Sequence, residues 1–208
     1  MIRICLTGSI ATGKTTISRF MQEEGAIVID TDLITHSIYR HPTPTSEKIL
    51  ALFGSEYLKE QSIDRKKLGE RVFKNPQELE LLNSIVHPSV RAEVAKFTEH
   101  YKKIEEEKGV CILLVYVIPL FFESGADYNV DYVVVASCSQ ENQFKRLVER
   151  NGYNKEDAIR RIKAQIPVEE KAKKADYVID TNKPPDKIRD DVKSLLKKWD
   201  WEPFYEKN

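Results

Sequence analysis

Gly8-Ser9-Ile10-Ala11-Thr12-Gly13-Lys14-Thr15 sets two glycines five positions apart and follows the second at once with Lys and Thr. These residue types at this spacing suit one task, the gripping of a polyphosphate. Glycine lets the backbone take dihedrals that other residues avoid, and it brings successive N–H groups up to phosphate oxygens where a side chain would obstruct them. A helix that begins at the end of such a loop adds N–H groups outside its own ladder and the positive end of its dipole. Lys14 then reaches the β- and γ-phosphates of a nucleotide, and Thr15 coordinates Mg²⁺. With glycine at about 7% of residues, a chance match in a chain this long has a probability of about 1 in 100. The setting lowers it further, because the apolar run Ile2 to Leu6 precedes the loop and a helical pattern from Thr15 to Glu24 follows it.

A phosphate grip serves switches, kinases and regulatory modules alike. A guanine-reading switch is disfavoured: Asn182-Lys183-Pro184-Pro185-Asp186 is one residue too long for N-K-x-D, and no Asp has Gly three positions later. A kinase of small molecules needs a base beside the acceptor hydroxyl, a metal, and positive groups closing over the transferring phosphoryl. Asp30 and Asp32, in Ile29-Asp30-Thr31-Asp32, end the second apolar run, on the edge where open α/β sheets place their ligands. One of them can accept the hydroxyl proton; the alternative use of either is to cap the next helix. Arg146 and Arg150 lie four apart on one helical face and can converge on one phosphate, and Arg161 follows in a charged stretch. A cover carrying such arginines neutralises phosphate charge and excludes water. Two other readings remain open at this point: another kinase acting on a nucleoside monophosphate or small alcohol, and a module that binds ATP without transferring phosphate.

The elements that must hold these residues read as alternating strands and helices. Ile2 to Leu6, Ala26 to Ile29, Val110 to Ile118, Tyr132 to Ala136 and Tyr177 to Ile179 are near-continuous apolar runs. Strands covered by helices on both faces show that pattern, which predicts a parallel α/β sheet. Helices are expected over Thr15 to Glu24, Pro88 to Glu107, Gln140 to Arg150 and Asp186 to Trp199, each with Gly or Pro punctuation. Leu33 to Lys108 has no strand run and reads as a helical insertion, with stretches around Ser46 to Phe53, Arg65 to Phe73 and Pro76 to Ile85. Asn151 to Ala175 is strandless and charged, a solvated helical face in its plainest reading. The aromatic tail Trp199 to Tyr205 is expected to pack back on the core.

Composition narrows the partners. At 208 residues and 24.1 kDa the chain is long enough for one domain that buries about 70% of its unfolded surface. Lys plus Arg equals Asp plus Glu, 33 against 33, so no overall basic field holds a nucleic acid, and any anion must be gripped locally. Cys5, Cys111 and Cys138 lie in or beside apolar runs and read as reduced core residues, without metal spacing to the histidines. Ile2 to Gly8 lacks the apolar region of a signal peptide, and Val110 to Val117 is too short to span a bilayer. A cytoplasmic location and no membrane contact are expected.

Over nearly its whole length the sequence resembles the dephospho-CoA kinase family. The resemblance rests on LTGSIATGKTT, VIDTD, IDRKKLGERVF, the His87-Pro88 pair of LNSIVHP, IPLFFESG, RLVER, RRIKAQ and KADYVIDTN, in that order. It implies an adenylate-kinase-like P-loop kinase with a five-stranded parallel sheet flanked by helices. The core would comprise 1–31, 109–150 and 176–208, with a helical CoA-binding subdomain over about 32–108 and a lid over about 151–175. The implied reaction is ATP-dependent phosphorylation of the ribose 3′-hydroxyl of dephospho-CoA, giving CoA and ADP in the last step of coenzyme A synthesis. Residues carried over by motif are Gly8 and Ala11 to Thr16 around the ATP phosphates, Asp32 as general base, and Asp30 placing the hydroxyl or metal. Lys14 and Arg146 join the catalytic set, and Arg146, Arg150 and Arg161 are lid arginines. His87 and Arg71 are assigned with Asp32 to the acceptor, His87 having the alternative of fixing a turn before Pro88. Mg²⁺ is the implied cofactor, held through Thr15, and the implied assembly is a monomer or weak homo-oligomer. Two positions depart from the family pattern: Ser9 stands where a second Gly is frequent, and the third apolar strand carries no Asp.

Overall fold

The structure, a computed structural model, describes residues 1–125 and 127–203, and of Arg150 and Asn151 the backbone. The chain divides into two compact units, Met1–Ile29 with His100–Asn208, and Asp30–Glu99. In chain order the elements begin with β1 (Ile2–Thr7), α1 (Lys14–Glu23), β2 (Ile27–Asp30), α2 (Thr31–Ile38) and α3 (Pro44–Phe53). They continue with β3 (Leu58–Lys59), β4 (Ser62–Ile63), α4 (Arg65–Val72), α5 (Pro76–Lys108), β5 (Leu113–Val117) and α6 (Phe121–Ser124). The chain then forms β6 (Tyr132–Ser137), α7 (Gln140–Asn151), α8 (Lys155–Lys163), α9 (Val168–Ala172), β7 (Tyr177–Asp180) and α10 (Pro185–Lys198).

The five long apolar runs become one parallel sheet in the order β2-β5-β1-β6-β7. All five residues of β5 are buried, as a strand covered on both faces requires. On one face Ile17, Phe20 and Met21 of α1 and Ile188, Val192, Leu195 and Leu196 of α10 meet Ile4, Leu6, Leu113, Val115 and Val134. Residues 188, 192, 195 and 196 recur at helical spacing, so α10 presents a single apolar stripe, and each such side chain contributes about 1.5–3 kcal/mol by burial. From β1 the chain crosses to β2 on one side, and from β6 to β7 on the other. The switch point therefore falls between β1 and β6, where open sheets of this kind bind ligands, and residues 8–13 leave β1 there.

The tail packs on the core as expected as far as it is described. Trp199 stacks on Tyr132 with ring centroids 4.9 Å apart, and Trp201 Nε1 donates to the Cys111 carbonyl at 3.1 Å. Phe204 and Tyr205 lie outside the described residues. Cys5 and Cys138 are buried, and burial pushes both thiols up, which keeps them protonated. Cys111 corrects the expectation: it is exposed, because β5 begins only at Leu113 and leaves residues 110–112 ahead of the sheet.

In the second unit Thr43 and Ser46 exchange side-chain and backbone hydrogen bonds at the start of α3, with Pro44 in the first turn. Two features differ from the sequence reading. A short hairpin pairs Leu58 with Ile63 and Lys59 with Ser62, too brief to show alternation. Pro88 also does not separate two helices but lies inside the 33-residue α5, so the alternative in which His87 fixes a turn before Pro88 does not hold. Leu82, Val86, Val90 and Val94 form a buried stripe that runs straight through Pro88, and tertiary burial outweighs the lost N–H. Ser89 Oγ donates to the Ile85 carbonyl at 2.9 Å beside the break. No helix among the described residues is long and apolar enough to cross a membrane.

Candidate active site

The loop between β1 and α1 holds its shape through its carbonyls. Lys14 Nζ donates to the Gly8 and Ser9 carbonyls at 2.7 and 2.9 Å, and Thr12 Oγ1 adds a bond to Ser9 at 2.9 Å. Gln143 Nε2 donates to the Ile10 carbonyl at 2.8 Å, Arg146 Nη1 to Ala11 at 3.1 Å, and Thr181 Oγ1 to Thr12 at 2.7 Å. Five consecutive carbonyls are thus fixed by side chains. In a trans peptide the N–H of the next residue points opposite to the carbonyl, so fixing the carbonyls also fixes the donors. Ala11, at φ 59°, and Gly13, at φ 93°, supply the left-handed turns that curl such donors into a concave nest.

Two of the motif's small residues are sterically required. A Cβ on Gly8 would lie 2.5 Å from the Ala136 carbonyl oxygen of β6 and 2.6 Å from Thr12 Oγ1. A Cβ on Gly13 would come within 3.0 Å of Thr181 at a positive φ. Gly13 is also the N-cap of α1 and makes no side-chain cap bond, and the first turn has no acidic residue. That end of the helix turns its positive dipole end to an anion with no side-chain cap and no acidic residue in its first turn. Thr15 is exposed in the same turn.

Arg146, grouped by spacing with Arg150, projects from α7 onto the loop and the end of β7. Its guanidinium donates to the Thr181 carbonyl at 2.6 Å and to Thr181 Oγ1 at 3.0 Å besides the Ala11 carbonyl. The side chain of Arg150 lies outside the described residues. Arg161 is exposed on α8 with its guanidinium 4.3 Å from the Tyr153 ring centroid, and its neighbour Arg160 pairs with Asp157.

Within the second unit, Asp30 is the N-cap of α2 and accepts from the Asp32 backbone N–H at 2.8 Å, while Asp32 is exposed in the first turn. The capping use of Asp30 is thus observed, in an Asx turn that leaves Asp32 exposed in the first turn of α2. Arg71 makes a two-pronged pair with Glu78, at 2.7 and 2.8 Å, donates to the Phe53 carbonyl at 3.0 Å, and lies over the Phe53 and Tyr57 rings. The pair raises the Arg71 pKa and lowers that of Glu78. His87 is half-buried in α5; burial, with the Arg91 charge, lowers its pKa and favours the neutral ring.

Several residues of the site escape the sequence reading. Gln143 and Thr181 carry no charge and belong to no phosphate-loop motif, yet both bond the loop. From the charged stretch, Gln165 Oε1 accepts from the Ile10 N–H at 2.6 Å, and the Ile166 carbonyl accepts from Ser9 Oγ at 2.9 Å. The same stretch is not wholly a solvated face: the Lys171 side chain is 0% exposed and pairs with Glu123 at 2.7 Å. A buried ammonium without a counter-charge is disfavoured, and IPLFFESG supplies that charge. A lone Lys among Lys171, Lys173 and Lys174 gives no sign of burial in sequence.

No group of three or more His, Cys, Asp or Glu among the described residues forms a metal cage. The donors at the loop instead suit a metal that arrives with its phosphates.

A parallel sheet with a phosphate nest at its switch point and helices on both faces is the architecture of the P-loop kinases. The Dephospho-CoA kinase family model matches residues 2–186. The dephospho-CoA kinase of Carboxydothermus hydrogenoformans is 42% identical over 206 residues, covering 98% of this chain and 97% of that protein. Among solved structures, dephospho-CoA kinase from Campylobacter jejuni superposes with a TM-score of 0.67 at 34% identity, covering 95% of this chain and 96% of that one. A crystal structure from Thermus thermophilus gives a TM-score of 0.78 at 28% identity, covering 95% and 97%. The chain belongs to the dephospho-CoA kinase family, and it is a kinase.

Proposed function

We propose that the protein transfers the γ-phosphoryl of ATP to the ribose 3′-hydroxyl of dephospho-CoA, giving CoA and ADP. The observation that carries this reading is the nest at residues 8–15, whose five side-chain-fixed carbonyls hold its donors in place, in a chain of this family.

Asp32 takes the proton from the 3′-hydroxyl, the oxygen attacks the γ-phosphorus, and the bond to the β,γ-bridging oxygen breaks to release ADP. Asp30 holds the Asp32 backbone through the Asx turn. Lys14, anchored on the loop, sets an ammonium beside the phosphates, and the α1 N-terminus stabilises charge on the departing ADP. Arg161, with Arg150, closes over the phosphoryl and excludes water, while Arg146 keeps the loop in its binding shape. Arg71 and His87 belong to the unit that takes the acceptor. Thr15 would hold Mg²⁺ together with nucleotide oxygens, a mode usual for an ion that keeps waters and phosphates as ligands. When bound, the ion neutralises charge on the β- and γ-phosphates. The free thiols of Cys5, Cys111 and Cys138 fit a cytoplasmic location.

The test is ADP formation from ATP and Mg²⁺ with and without dephospho-CoA, with AMP and adenosine as comparison acceptors and the product's phosphate position determined. Selective stimulation by dephospho-CoA with 3′-phosphorylation is expected. Stimulation by AMP alone overturns the substrate, and ATP binding without transfer overturns the enzymatic reading.

A further inference from the structure

Lys171, deep in α9, is the one fully buried charge of the arginine-bearing stretch among the described residues. Its Nζ pairs with Glu123 Oε1 at 2.7 Å and donates to the Pro119 carbonyl at 3.3 Å. Pro119 is joined by one bond to the residue that precedes the phosphate loop, and Glu123 reaches the loop by two bonds through Ile166. Pro119 O also accepts from Thr7 Oγ1 at 3.4 Å, one residue before Gly8. Glu123 Oε1 also accepts from the Ile166 N–H at 3.1 Å, and the Ile166 carbonyl accepts from Ser9 Oγ at 2.9 Å. Gln165 adds its bond to Ile10. Glu123 Oε2, by contrast, is buried with no hydrogen-bond partner among the described residues.

We propose that Lys171 and Glu123 are positioning residues that lock the base of the arginine-bearing segment, residues 165–171, to the phosphate loop, with Ser9 as the link. This rests on the kinase reading above. α8, with Arg160 and Arg161, leads directly into that base, so the lock sets where the arginines start from. Ser9 thereby has a purpose that glycine at the same position lacks, since only the hydroxyl reaches Ile166.

Geometry of this kind acts on the transition state more than on ground-state binding. In Lys171→Met, kcat is expected to fall at least about tenfold with KM for ATP within about threefold, since misplacement by about 1 Å suffices for such losses. Ser9→Ala is expected to lower kcat about threefold, and the double variant should fall no further than Lys171→Met, because residues acting in one chain are non-additive. Wild-type kcat in folded Lys171→Met, additive losses, or a rise in KM alone would each overturn the proposal. If Lys171→Met does not fold, Ser9→Ala and Gln165→Ala carry the same non-additivity test. Amide exchange of Ile10 and Ile166 provides a readout independent of turnover: both should lose protection together in Ser9→Ala. Unchanged protection there overturns the lock, whereas a wild-type protein that ignores dephospho-CoA fails the kinase reading instead.

Discussion

Arg146→Met removes a guanidinium that serves three acceptors on two segments, Ala11 of the phosphate loop and Thr181 after β7. The aliphatic stem keeps its packing, so the loss is concentrated in the polar contacts. At about 1 kcal/mol net for each part-buried bond, the variant should be less stable by about 2–3 kcal/mol. For a chain of about 200 residues, 1 kcal/mol shifts Tm by about 2–4 °C, so a fall of about 5–10 °C is expected. Thermal unfolding without nucleotide is the assay, because it separates support of the loop from contact with phosphate. Arg146→Lys keeps the charge but not the fork, and should recover less than half of the loss. A nucleotide-free Tm within 1–2 °C of wild type, about the shift from 0.5 kcal/mol, would refute the supporting role and leave Arg146 a phosphate ligand only.

Lys14→Ala should leave the far-ultraviolet spectrum unchanged and lower kcat by about 10²–10³-fold, as loss of one preorganised positive donor does; near-normal turnover removes Lys14 from the mechanism. Asp32→Asn keeps shape without basicity and should lower kcat about 10²–10⁴-fold with little change in KM, which steady-state kinetics will read; an unchanged rate moves the base elsewhere. His87 has a folded pKa below its ordinary 6.5 because of burial and Arg91, so its contribution to stability is present above pH 6.5 and is lost as pH falls through the folded value. Urea unfolding between pH 7.5 and 5 should therefore show a steeper loss in wild type than in His87→Gln.

The sheet and the loop were legible because their signals are local. Continuous apolar runs mark the buried strands, and the loop's two glycines, Lys and Thr stand within eight consecutive residues. What was not legible depends on partners far along the chain. Gln143 and Thr181 become site residues only after β6 pairs with β1 and β7 with β6, and Lys171 is recognised as buried only when Glu123 faces it across 48 positions. Pro88 shows the opposite failure: its local rule breaks a helix, yet a valine stripe spaced by four continues across it. Cys111 was misjudged because apolar neighbours on both sides do not reveal where pairing to β1 starts.

The fixed carbonyls of the phosphate loop have a further consequence, which concerns entropy. A loop whose peptide planes are already set loses little conformational freedom when phosphate arrives, because that loss was met during folding. Such support raises the binding-competent fraction, and apparent affinity approaches intrinsic affinity as that fraction approaches one. Side chains that hold the loop's carbonyls, such as Gln143 and Thr181, consequently govern affinity through population: every 1.4 kcal/mol of support removed beyond the loop's own margin weakens nucleotide binding about tenfold.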